Sequence, residues 1–284
     1  MISVTKTQKI FVYTFLTIVS LISIFPIYWM ACAATNTSVE IMRGKLIPGG
    51  YLIENFKSLI HNQNLGRAFF NSVRNSVILT LLSMVICSIA GYGFEVYHQK
   101  SKDVLFTVLL TAMMLPFVAT MIPLFTMFSK VGLVNTWPAF VLPGLATPFL
   151  IMMFRQAARS FPKEIIEAAR MDGLSEVGIF FTMFVPTMRS TYGAAITVTF
   201  MNTWNSYLWP KVIFQKNEAT TMPMLVANLL GGYTVDYGML MLGVLIATIP
   251  TAVVFFILQK QFAEGITAVS YTHLRAHETV LDLV

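Results

Sequence analysis

Six stretches of the chain are almost wholly apolar and long enough to cross a bilayer, which takes about 20 residues of helix. They cover approximately residues 10–32, 71–94, 104–128, 137–154, 187–209 and 238–259, with polar and charged residues gathered between them. The pattern predicts an all-α fold, a polytopic membrane helical bundle with six transmembrane helices. Lys6 and Lys9 ahead of the first run imitate a secretory leader. That run is too long for a leader's apolar core of about 7–15 residues, so it is read as a retained span.

Punctuation refines the pattern. Pro48-Gly49-Gly50 marks a loop inside the polar stretch after the first span. Pro116 and Pro123 interrupt the third span, and Pro138, Pro143 and Pro148 the fourth. Proline frees a backbone carbonyl that lipid cannot satisfy, so these spans are expected either to face a bundle interior or cavity, or to carry packing kinks.

Composition agrees with lipid as the solvent. Hydrophobic residues make up 56% of the chain and charged residues only 11%, against about 25% charged in a soluble domain. The net charge of +6 is not a nucleic-acid signature, because Lys and Arg stand singly or in twos near the ends of apolar runs. Their crowding around Lys100, Lys102, Arg155, Arg159, Lys163 and Arg170 favours both termini on the cytoplasmic side. Cys32 and Cys87 belong to no ligand cluster and are read as small buried residues. His273 and His277 stand four apart but lack a third ligand, so no metal site is expected. The polar segment from about 269 to 284 resembles translated adapter or vector sequence. The domain is therefore taken as 1–268, with 269–284 a non-native or disordered tail.

The segment between the fourth and fifth spans carries the sharpest signal. It reads Phe161-Pro162-Lys163-Glu164-Ile165-Ile166-Glu167-Ala168-Ala169-Arg170-Met171-Asp172-Gly173. Pro162 suits a first helical turn, Gly173 a left-handed stop, Ser175 the cap of a second short helix, and Pro186 its end. Exposed Ala168 and Ala169 would let a partner's backbone approach closely, while Glu167, Arg170 and Asp172 could fix register by charge. An amphipathic helix packed only on its own bundle would carry the same residues.

Glu167-Ala168-Ala169, then Gly173, then Met183-Phe184-Val185-Pro186 resembles the EAA loop of bacterial ABC importer permeases, with Met183 and Val185 where that family usually has Ile and Leu. Asn71-Ser72, Met114-Leu115-Pro116, Gly132-Leu133-Val134-Asn135-Thr136, and Phe200 with Trp204-Asn205 through Trp209-Pro210 look like the maltose-type carbohydrate subfamily, second permease subunit. The resemblance implies a multi-pass protein of the bacterial inner membrane, forming half of a pathway for a sugar or oligosaccharide. It implies a second permease as heterodimer partner, two cytoplasmic ATPase subunits and an extracytoplasmic solute-binding protein. Glu167, Ala168, Ala169, Arg170, Asp172 and Gly173 would form a coupling helix and turn docked on an ATPase. The chain itself would be no enzyme and hold no cofactor, with ATP and Mg on the partner, in keeping with the lack of a phosphate-cradling GxxxxGK[ST] loop. A permease for polyamine, phosphate or glycerol-phosphate is the alternative.

Asn202, Trp204, Asn205 and Tyr207 are candidate solute contacts, since sugars are held by aromatic faces and amide hydrogen bonds. Trp and Tyr are equally the ordinary residents of membrane interfaces. The predicted span interiors hold almost no charge, which argues against an ion-coupled carrier. His61 and His98 fall on opposite sides in this topology, which leaves little for a membrane enzyme to use.

Overall fold

The computed structural model describes the backbone of residues 6–232 and 234–281, and side chains over 8–232 and 234–263. Every regular element among the described residues is helical. In chain order they are α1 (Lys6–Ala33), α2 (Ser38–Met42), α3 (Leu52–Asn62), α4 (Leu65–Val96), α5 (Lys100–Ala112), α6 (Phe117–Lys130), α7 (Trp137–Val141) and α8 (Pro148–Arg159). Then come α9 (Lys163–Met171), α10 (Glu176–Ile179), α11 (Val185–Thr187), α12 (Arg189–Trp204), α13 (Leu208–Ile213), α14 (Met222–Leu229) and α15 (Tyr237–Leu281). A π-helical turn, Phe180–Phe184, joins α10 to α11. Side chains beyond 263, those of His273 and His277 among them, lie outside the described residues, while the backbone of the expected tail is described to Leu281 as part of α15.

Among the described residues, three helices are long and apolar enough to cross a membrane: Gln8–Ala33, Leu65–Val96 and Tyr237–Ala263. The first is exposed along almost its whole length, with Ile10 at 67% and Phe11 at 73%. Water would not tolerate such a surface, whereas lipid solvates it. The third and fourth predicted spans are not single helices. Lys100–Ala112 and Phe117–Lys130 meet at 100°, and Trp137–Gly144 and Pro148–Arg159 at 47°. Counting each bent pair as one span gives up to five. The fifth predicted span also breaks, because α12 stops at Trp204 after 16 residues and α13 starts afresh at Leu208. The prolines explain part of this. Pro138 and Pro148 stand in first helical turns and Pro116 at an N-cap, where the missing N–H breaks no hydrogen bond.

The chain divides into two compact units. The first comprises residues 1–66 and 225–249. Amide side chains fasten its 32–55 segment: Asn55 donates to the carbonyls of Ala34 (2.9 Å) and Asn36 (3.1 Å), and Asn36 to those of Cys32 and Ile47. Helix α2 opens with a capping box in which Thr37 and Glu40 satisfy each other's backbone N–H.

The second unit, residues 67–224 and 250–284, carries the motifs. Its close approaches depend on glycine. A Cβ on Gly91 of α4 would meet the Phe154 Cβ at 2.6 Å, the Arg155 nitrogen at 2.7 Å and the Ile151 carbonyl at 2.8 Å, and one on Gly193 of α12 would run into the Gln261 Cβ. Helix α4 is therefore pressed against the backbone of α8, and α12 against α15.

Candidate functional site

The turn after α9 is built as its sequence suggests. Gly173 takes φ +80°, a left-handed conformation that side chains disfavour. The Gly173 N–H then reaches the Arg170 carbonyl at 3.1 Å and the Leu174 N–H the Ala169 carbonyl at 3.0 Å. This pair of bonds is a Schellman closure, and Leu174 packs back on the core beside it. Ser175 caps α10 by accepting from the Gly178 N–H at 3.2 Å. Pro162 lies one position outside its expected place, as the N-cap of α9.

Burial divides the two alanines, which corrects the expectation that both face a partner. Ala169 is buried at 3% with Ile166 at 4%, against Tyr92, Ala158, Phe161 and Ile179. Ala168 points outward, with Ile165 at 39% and Met171 at 88% exposure on the outer side. Inward residues three apart share one helix face, so adjacent alanines cannot both lie on it. Arg170 is already engaged within the chain, its Nε donating to Glu176 Oε1 at 2.7 Å and Nη2 to Oε2 at 3.2 Å. The Tyr97 hydroxyl donates to the same carboxylate. These hydrogen bonds, Arg170's first, hold the Glu176 carboxyl below the usual carboxylate range. Burial, then the Glu176 contact, pushes the Tyr97 phenol up to about 12. Glu167 and Asp172 remain exposed. Glu167 lines a cavity of about 210 Å³ with Glu95, Arg159, Lys163 and Arg170.

Beside that cavity lies a buried charge. The Arg155 side chain is only 5% exposed. Its Nε reaches Glu95 Oε2 at 3.2 Å and its Nη2 reaches Asp103 Oδ1 at 2.7 Å. Arg159 shares the same Glu95 oxygen at 3.0 Å, and His98 Nε2 lies 2.8 Å from the second Asp103 oxygen. The Arg155 guanidinium also stands 4.3 Å from the Phe106 ring centroid.

The candidate solute residues do not gather. Asn202 lines a cleft of about 260 Å³ with Phe117, Phe140, Thr147, Ser206 and Trp209. Trp204 is turned inward at 1% exposure, between Phe69 and Phe200. Asn205 and Tyr207 are exposed and outside that cleft. The subfamily-like motifs instead secure the segment after α13. Asn71 donates to the carbonyls of Glu218 (2.9 Å) and Thr220 (3.0 Å), and Ser72 accepts from the Met222 N–H (2.7 Å). Asn135, at φ 65°, accepts from the backbone of Gln215 and Lys216. Trp209 donates to the Ala139 carbonyl at 3.2 Å. Among the described residues no group of three His, Cys, Asp or Glu is placed to hold a metal.

Residues 85–268 match the family model for the binding-protein-dependent transport system inner membrane component. The chain is 43% identical to the lactose transport system permease protein LacG of Rhizobium radiobacter, over 89% of this chain and 93% of that protein. It is 34% identical to the arabinooligosaccharides transport system permease protein AraQ of Halalkalibacterium halodurans, over 88% and 91%. The fold is similar to a bacterial ABC transporter structure described as involved in import of the acidic polysaccharide alginate. There the TM-score is 0.80 at 18% identity, covering 92% of this chain and 99% of that one.

Proposed function

The chain belongs to the family of binding-protein-dependent transport system inner membrane components, as a multi-pass ABC importer permease, and from that premise we propose that it moves a sugar or short oligosaccharide, driven through α9. The observation that carries the coupling assignment is the α9 turn. Residues Glu167 to Gly173 form a hydrogen-bonded helix end with Ala169 packed on the core, while Ala168, Met171 and Asp172 are exposed. Such an element transmits a push without deforming. An ATPase subunit would seat it in a cleft, with Ala168 permitting close approach and Glu167 and Asp172 setting register. ATP and Mg would act on that partner, two copies of which serve this chain and a second permease. Closure of the ATPase pair would turn the pathway outward to receive solute from the binding protein, with both termini cytoplasmic. The α12–α13 segment would complete six crossings.

The names of the relatives, lactose and arabinooligosaccharide permeases, support a carbohydrate. Phe117 and Trp209 with Asn202, Thr147 and Ser206 supply fitting chemistry in the cleft. Two measurements test the reading. Glu167→Lys and Gly173→Pro should abolish co-purification of the ATPase while the permease remains in the membrane. Retained ATPase and normal uptake in both variants would sink the α9 assignment. Radiolabelled lactose should accumulate in proteoliposomes of the whole transporter, and accumulation of glycerol-phosphate instead would reassign the solute.

A further inference from the structure

Helix α5 is weakly anchored. None of its side chains is buried, and it runs into a 100° break before α6. The link from α4 through Tyr97, His98 and Gln99 tethers its start, but a tether alone does not set an angle. The tie that joins α5 to both α4 and α8 is Arg155, beside the local His98–Asp103 contact and the packing of Phe106 on the core. One guanidinium lies between Glu95 at the end of α4 and Asp103 in the first turn of α5, with Phe106 of α5 against it. Phe106 packs in turn on Phe94 of α4, ring centroids 5.5 Å apart. A planar guanidinium with fixed donors suits such a junction, and a buried one stripped of a carboxylate is strongly destabilised. Helix α8, which carries Arg155, leads through Ser160, Phe161 and Pro162 directly into α9.

We propose that Arg155 is a positioning residue that makes α4, α5 and α8 move as one body, so that displacement of α9 reaches the bent α5–α6 pair. The proposal rests on α9 being the coupling helix. Without the clamp, the ATPase still docks and hydrolyses ATP, but α5 no longer follows.

The test uses the whole transporter in proteoliposomes with its binding protein and radiolabelled lactose. Asp103 decides it, because its side chain is 42% exposed and Asp103→Asn leaves Glu95 to neutralise the buried Arg155. Asp103→Asn should lower lactose moved per ATP at least threefold with the ATPase still bound, whereas Asp103→Glu should keep most of the coupling. Spin labels at Val108→Cys on α5 and Leu82→Cys on α4 should give one narrow distance through the ATP cycle, and a broadened one once Asp103→Asn is added. Undiminished lactose per ATP in Asp103→Asn, or an unchanged narrow distance, overturns the proposal. Gly173→Pro in the same preparation separates the two ideas. If it keeps its ATPase, the coupling reading fails. If it loses the ATPase while Asp103→Asn couples normally, only the Arg155 assignment fails.

Discussion

Adjacent alanines in α9 have opposite surroundings, and so opposite sensitivities. Ala169 sits in close-packed core, where added methylenes cost about 1–3 kcal/mol, so Ala169→Leu should lower the unfolding temperature in detergent. Ala168→Leu should leave that temperature unchanged and weaken ATPase co-purification several-fold. Equal stability losses in the two variants would contradict the burial pattern. Glu176 gives a pH signature. Its folded pKa lies below the ordinary 4.5, so its contribution is complete above that value and disappears as pH falls through the lowered one. Glu176→Gln should therefore destabilise the permease at pH 7, with the difference from wild type closing on acidification. A pH-independent difference would show that the Arg170 and Tyr97 contacts do not act through charge. The sequence exposed Gly173 and Ser175 because cap chemistry is local, but local pattern could not say which alanine turns inward.

At the scale of helices, the α4–α8 pair depends on Gly91. A Cβ there would meet the Phe154 Cβ and the backbone of Ile151 and Arg155, none of them the far end of a flexible side chain. Gly91→Ala should therefore force the helices apart and cost about 1–3 kcal/mol, measured as thermal unfolding in detergent. Unchanged stability would mean that the two backbones do not approach so closely. The apolar runs located the membrane helices well at 10–32, 71–94 and 238–259, where one helix spans each run. At 104–128, 137–154 and 187–209 each run holds more than one helix, because hydropathy is blind to direction. Pro116, Pro138 and Pro148 look like interruptions in a running window, yet each stands where a helix begins. Arg155 was missed for a related reason. The fourth run ended at 154, whereas α8 continues to Arg159, and the partners Glu95 and Asp103 lie far away in sequence.

For the molecule as a whole, α4 supplies a ruler within the second unit. It starts near Arg67, beside the segment held by Asn71, and ends near Glu95, beside α9. At 1.5 Å per residue those positions stand roughly 42 Å apart, the thickness of a bilayer with its headgroups. The 216–218 segment and α9 must then open onto opposite aqueous phases. With α9 cytoplasmic, a cysteine at Lys216 should react with a membrane-impermeant maleimide in intact cells, and one at Met171 only after permeabilisation. Both positions are exposed, while native Cys32 and Cys87 are buried at 3% and 0% and should stay silent. Labelling at Met171 from outside would invert the topology and remove α9 from reach of any ATPase. Labelling of both positions from the same side would mean that α4 does not cross, and the assignment of α9 would fall with it.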